Sequence, residues 1–262
     1  MKKVVFLIIS VALVSFSTSC KEKPDTSQIV LSEINNSNPE LAIAVTKKDE
    51  NHQKYVYVTA RTGLSLREFN NLNSEKLAVM PYGTKLMVLT EEQKPTMTVG
   101  GIKGSMDEVE FNHKKGFAFS GYLSKFFPPE QGISAKRYAE ELQKSFPETS
   151  YLESIGGNSI RPINSETLLL PTDQWHTAFF VTQQLYDFPK EFVFPSPKGK
   201  DEEIIKDAKP KKNAWVSELQ IHRVDDAFEK ITYVYKSKKF GSTVRITKEG
   251  DLMKIEKTEI VE

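Results

Sequence analysis

Residues 63–68 read GLSLRE, in which apolar and polar side chains alternate with the period of a β-strand. Leu64 and Leu66 face the same side of such a strand, which predicts that both leucines are buried. Short apolar runs of the same kind continue along the chain, at 55–58, 76–80, 85–89 and 116–119. Short strands at this spacing, with glycine and proline between them, predict a small all-β barrel. The expected barrel core also contains Val79, Leu86 and Val88.

Three segments of this region resemble the bacterial SH3-like (SH3b) domain. They are GLSLRE at 63–68, MPYGTK at 80–85 and GFAFSGYLS at 116–124. The resemblance covers about residues 55–127 and implies a barrel whose aromatic side chains form a platform for a ligand. Met106 and Phe117 stand where this family often has tryptophan.

With the two tryptophans of the family replaced, the resemblance implies that four other aromatic residues and one arginine are the ligand-binding candidates. They are Tyr57, Tyr82, Phe119, Tyr122 and Arg67. An arginine can hold a ligand carboxylate through two parallel hydrogen bonds. For each aromatic ring the alternative is packing in the core, and for Arg67 it is a surface ion pair of little energetic value. We expect a groove near Tyr82 and Tyr122 that binds without a metal or a cofactor.

Beyond residue 130 the periodicity becomes helical and then returns to strands. Ser134 can cap a first helix that ends before Pro147, and Thr172 can cap a second helix over 173–186. Strand-like alternation follows at 215–221, 231–235, 242–247 and 252–260. The expected core of this part contains Phe179, Tyr233 and Ile246. The predicted fold class is therefore mixed, a small all-β SH3-like barrel followed by a compact α+β domain with two helices and an antiparallel meander.

The N-terminus has the layout of a secretory signal. Lys2 and Lys3 precede an apolar run at 4–16, which is about 20 Å long as a helix and too short for a bilayer core of ~30 Å. Small residues then lead to Cys20, the single cysteine of the chain. This arrangement resembles a bacterial lipobox, which implies cleavage before Cys20 and acylation of its thiol. Simple cleavage after Ser19, which leaves a free thiol, is the alternative.

These assignments divide the chain into four parts, a lipoprotein signal peptide (1–19), a flexible tether (20–54), an SH3-like domain (55–130) and an α+β domain of unknown function (134–262). The net charge of +1 provides no basic field for nucleic acid or for an anionic membrane surface. The lipid is therefore expected to provide the membrane attachment. Lys21 follows the cysteine where aspartate would signal inner-membrane retention in some sorting systems, and this favours the outer membrane.

The sequence contains no familiar pattern for catalysis or metal binding. The four histidines, His52, His113, His176 and His222, lack metal-ligand spacing, and Asp173 with His176 is more typical of a surface contact than of a site. The only thiol is assigned to acylation, which excludes a Cys–His peptidase. The sequence therefore predicts a lipid-anchored, non-enzymatic protein of the bacterial cell envelope that binds cell-wall peptide or a protein partner. A structural lipoprotein without a ligand and an unrecognised envelope hydrolase are the alternatives.

Cys20→Ala is expected to release the protein from membranes, because each methylene of a buried acyl chain contributes about 0.8 kcal/mol to anchoring. Detergent phase partitioning of the two proteins measures the effect. Ser27→Ala, in the predicted tether, should partition like the wild type. Equal recovery of the wild type and Cys20→Ala in the aqueous phase would contradict the lipoprotein hypothesis.

Overall fold

The computed structural model describes residues 54–157 and 162–261. Cys20, the signal peptide and nearly all of the predicted tether lie outside these described residues. The first half of the described chain consists of short strands, β1 (Lys54–Val58), β2 (Leu64–Arg67), β3 (Lys76–Met80), β4 (Lys85–Thr90), β5 (Met97–Val99), β6 (Ile102–Gly104), β7 (Met106–Phe111), β8 (Lys114–Phe119) and β9 (Leu123–Ser124). Seven of them form an antiparallel sheet in the order β3-β2-β8-β7-β4-β1-β9, and β5 and β6 form a separate hairpin.

The second half contains two helices and longer strands. They are α1 (Ala135–Gln143), β10 (Ser150–Gly157), β11 (Pro162–Leu170), α2 (Trp175–Leu185), β12 (Glu202–Lys206), β13 (Ala214–Val224), β14 (Ala227–Ser237), β15 (Phe240–Glu249) and β16 (Leu252–Val261). The seven strands form a second antiparallel sheet in the order β10-β11-β16-β15-β14-β13-β12. Strands β12 to β16 form a meander, and β11 pairs with its last strand, β16.

The predicted fold class, an SH3-like barrel followed by a compact α+β domain, is wrong. The described residues are mostly β-structure, with only two α-helices and three antiparallel sheets. The prediction missed β10 and β11, which separate the two helices along the chain. The described residues belong to one compact unit, in which both halves contribute to one apolar core. The rings of Phe126 and Phe146, for example, lie 4.8 Å apart across the two halves.

The predicted start of the first helix is confirmed. The Ser134 side chain accepts a hydrogen bond from the backbone N–H of Arg137 at 3.3 Å, as an N-cap residue does. In α2 the cap residue is Gln174, and the Thr172 hydroxyl instead accepts from the Gln174 N–H at 3.2 Å. The first turn of α1 is therefore capped by a side chain, whereas α2 begins without a side-chain cap hydrogen bond.

Most of the predicted core residues are buried, and the register of the strands explains the one that is exposed. Leu64, Leu66 and Leu86 are buried, as are the three residues predicted for the second half. Val79 is 58% exposed, because β3 places it opposite Ser65 and not opposite a leucine. A pair directly opposite in a sheet shares one face, and this pair shares the solvent face. Val88 is half-buried.

Leu66→Ala is expected to lower the free energy of unfolding by about 2–5 kcal/mol, because Leu66 is fully buried and the alanine leaves a cavity. Val79→Ala in the neighbouring strand is the matched control and should change it by less than about 0.5 kcal/mol. Urea unfolding measures both values. A similar cost for the two variants would contradict the register of β2 and β3.

Candidate ligand-binding site

The five predicted ligand-binding residues lie in two depressions. Arg67, Phe119 and Tyr122 line a cavity of about 640 Å³, which we call the apolar cavity. Tyr57 and Tyr82 line a second depression of about 620 Å³, the tyrosine groove. The single groove expected near Tyr82 and Tyr122 is thus divided, and the role of these residues in binding stays a prediction.

The apolar cavity lies between the two halves of the chain. Phe119 and Tyr122 line it from the first half, and their rings are 5.8 Å apart. Phe180 of α2 lies on the other side with its ring 6.0 Å from that of Tyr122. Phe192 and Phe194, in the loop after α2, complete that side. Each of these five rings therefore packs against neighbouring side chains and also forms part of the cavity wall.

On the side of the first sheet, the cavity opens where β2 and β8 separate. Among the described residues these strands pair only at Arg67 and Phe117. They cross closely at Gly116, where a Cβ atom would lie 2.6 Å from the carbonyl oxygen of Arg67. Beyond this crossing, the β2 edge at Leu64 and Ser65 borders the cavity without a β8 partner.

The charged side chains around the apolar cavity are all basic. They are Arg61, Arg67 and Lys190, and the described residues that line the cavity include no aspartate or glutamate. Arg67 donates from Nη1 to the backbone carbonyl of Ser74 at 2.7 Å, and Arg61 donates from Nη2 to Oε1 of Gln184 at 3.1 Å. Both guanidinium groups therefore use neutral acceptors, and their positive charge is not cancelled within the cavity.

Arg61 connects the two depressions, and no motif in the sequence singles it out. It lines the apolar cavity, and its partner Gln184 lines the tyrosine groove. Burial lowers the pKa of the Arg61 guanidinium, whereas Tyr82 and Asp187 act in the opposite direction. Burial also raises the pKa of Tyr82. Arg61 stays charged at physiological pH, and it forms no ion pair within the described chain.

The tyrosine groove is built from rings and prolines. The rings of Tyr57 and Phe127 meet edge-to-face at 6.3 Å and 74°, and Pro128 and Pro129 line the same groove. Both tyrosines are half-buried. Such a surface presents flat apolar faces beside hydroxyl groups, which suits an extended peptide.

Arg223 holds the loop that carries Phe192 and Phe194. Its side chain is 1% exposed and donates from Nε and Nη2 to the carbonyl of Ser196, at 3.1 and 2.8 Å. It also donates to the carbonyl of Lys200 and to the Glu203 carboxylate, each at 2.8 Å. Because one planar group binds the loop at two carbonyls, the outer wall of the apolar cavity is held against the second sheet.

A third depression of about 730 Å³ is polar. There Asp107 accepts hydrogen bonds at Oδ1 from the Ser105 hydroxyl at 3.0 Å and the Glu92 N–H at 3.3 Å, and burial raises its pKa. Burial lowers the pKa of His176 to about 4, so its imidazole is neutral at physiological pH. In the described chain its ring packs against that of Phe194 at 6.0 Å.

The comparisons with known proteins do not identify a family. No family model, no curated protein and no solved structure matches the chain. Among the residues that the structure describes, no group of three or more His, Cys, Asp or Glu side chains could hold a metal ion. No helix of the described ranges is long and apolar enough to cross a membrane. The function is therefore inferred from the geometry of the site.

Arg223→Met is expected to lower the free energy of unfolding by about 2–4 kcal/mol, since hydrogen bonds from a charged donor are lost to the loop and to Glu203. Arg245→Met is the matched control, because Arg245 is about half exposed and its ion pair with Glu256 is long, at 3.9 Å. Urea unfolding measures both, and hydrogen exchange of the amides at 188–201 should accelerate only in Arg223→Met. Unchanged exchange in that loop would contradict the anchoring role of Arg223.

Proposed function

We propose that this chain is a lipid-anchored, non-enzymatic binding protein of the bacterial cell envelope whose site holds an anionic peptide. The site consists of the apolar cavity, Arg61 and the tyrosine groove. The observation that carries the proposal is the combination of apolar walls with three basic side chains and no carboxylate among the described lining residues. Both cell-wall peptide and a segment of a protein partner have the required chemistry.

The charge of the site supports an anionic ligand. Arg61 is partly removed from water and hydrogen-bonds to a neutral amide. A carboxylate that reaches such a group is screened less than it would be on an open surface, and the guanidinium can bind it through two parallel hydrogen bonds. Arg67 and Lys190 add to the same local field.

The shape of the site supports a peptide. The unpaired edge of β2 at Leu64 and Ser65 offers backbone groups to an extended chain, as in recognition by strand addition. The tyrosine groove offers rings and prolines for a second stretch of the same chain. Arg61 lies where these two surfaces meet.

Membrane attachment supports a weak but effective interaction. A half-open site with few charged anchors is expected to bind a single peptide weakly, because ordering the ligand costs free energy. Acylation of Cys20 would confine many copies near one surface, and the high effective concentration compensates for weak affinity. The outer membrane is the proposed location, on the strength of Lys21.

Arg61→Met is expected to weaken binding of purified muropeptides at least tenfold, because a charge-assisted hydrogen bond contributes about 1.5–3 kcal/mol. The measurement is calorimetric titration of the full-length protein in lipid nanodiscs, since free detergent would compete for an apolar cavity. Arg137→Met on α1 is the matched control, because its side chain is 73% exposed and pairs only with Glu141.

Binding should also weaken as salt is added, because the attraction between the ligand and the basic groups is screened. Absence of binding to every peptide tested, including muropeptides at millimolar concentration, would overturn the proposal and favour a structural role.

A further inference from the structure

The apolar cavity is large compared with a methyl side chain. Its volume is about 640 Å³, and rings from both halves of the chain border it, namely Phe119, Tyr122, Phe180, Phe192 and Phe194. An aromatic side chain buries about 150–250 Å² and packs edge-to-face against such rings. A methyl group leaves most of this space without contacts, so the dispersion attraction of the walls is lost.

Two apolar side chains at the cavity are exposed to solvent. Val193 is 75% exposed and Leu72 is 40% exposed, and both line the cavity. Neither belongs to the buried core, so packing within the chain does not account for them. A ligand that fills the cavity would cover both side chains.

The turn between β5 and β6 lines one side of the cavity and packs against the loop after α2. Gly100 and Gly101 have φ values of 56° and 79°, which favour glycine. A Cβ atom on Gly101 would lie 3.2 Å from the carbonyl oxygen of Pro195 and 3.3 Å from Cα of Ser196. Backbone therefore meets backbone at this turn. This contact gives the cavity a backbone wall on the side of the β5–β6 turn.

A chain that ends in the cavity brings a terminal charge with it. The basic residues Arg61, Arg67 and Lys190 match a C-terminal carboxylate and would repel an N-terminal ammonium group. Arg67 already uses Nη1 for the carbonyl of Ser74 in its own half of the chain, whereas Arg61 lies at the junction of the two depressions. Arg61 is therefore the better partner for an incoming carboxylate.

We infer that the apolar cavity takes the C-terminus of a protein partner whose last residue is aromatic or long and aliphatic, with its terminal carboxylate paired with Arg61. The inference rests on the function proposed above and names the ligand class for that site. A chain that ends in a methyl side chain leaves most of the cavity without contacts.

The test uses the full-length protein in lipid nanodiscs and three probes, N-acetyl-Ala-Ala-Phe as the free acid, the same peptide as its C-terminal amide, and N-acetyl-Ala-Ala-Ala as the free acid. Calorimetry is expected to show that the phenylalanine acid binds at least tenfold more tightly than either of the other two. The difference between acid and amide measures the contribution of the carboxylate. The difference between the phenylalanine and alanine acids measures the contribution of the apolar side chain.

Arg61→Met is expected to remove the preference for the acid over the amide and to keep the preference for phenylalanine over alanine. Arg137→Met should leave both preferences unchanged. Lys190→Met, at an exposed position that tolerates substitution, is expected to weaken binding of the acid and provides a second variant if Arg61→Met does not fold.

The outcomes separate this inference from the proposed function. Equal binding of the phenylalanine and alanine acids, or tighter binding of muropeptides, would overturn the inference and leave an anionic-peptide site. Equal binding of the acid and the amide would count against a role for the carboxylate, and so against the inference and the proposed anionic site together. Binding of none of the probes and of no muropeptide would overturn both.

Discussion

The buried guanidinium of Arg223 determines where the wall of the candidate site lies. The loop after α2 has no regular secondary structure over most of its length, so its backbone groups need partners from elsewhere. Arg223 supplies donors for two of its carbonyls and receives charge compensation from Glu203. Once the loop is held, Phe194 packs against Phe179 and Phe180 at ring separations of 5.6 and 6.4 Å. The same ring then forms the wall of the apolar cavity.

The site exists because the two halves of the chain share a core. Tyr138 of α1 donates its hydroxyl hydrogen to the carbonyl of Phe127 at 2.9 Å, and their rings meet edge-to-face at 5.3 Å. The tyrosine groove lies beside this contact, because Phe127 lines it. The apolar cavity lies beside a second contact between the halves, that of Tyr122 with Phe180. Arg61 reaches from the first half to Gln184 of α2 between them. A ligand that bridges these surfaces would contact both halves at once, so binding and the stability of the shared core are coupled.

Local sequence patterns predicted burial and helix starts correctly where a residue's environment depends only on its own strand or helix. The alternation at Leu64 and Leu66 predicted their burial, and Ser134 predicted the start of α1. Val79 was misplaced because its face depends on pairing with Ser65 in another strand. Strand β10 was missed because nearly all its side chains are exposed, so it lacks an apolar alternation. The candidate tyrosines were found in the sequence, but their division between two depressions depends on where α2 and its loop pack.

The sequence by itself determined the strand-rich first half, the two helices, the strands of the meander and the expectation of a lipid at Cys20, because periodicity and short motifs are local properties. The tertiary structure decided that the two halves form one unit, that Arg61 lies between the two depressions and that Arg223 anchors the loop after α2. These facts depend on contacts between residues more than a hundred positions apart, as between Arg61 and Gln184, or on burial inside a shared core. A lysine or arginine in a sequence is usually a solvated surface charge, and only packing shows which one is withdrawn from water beside an empty apolar space.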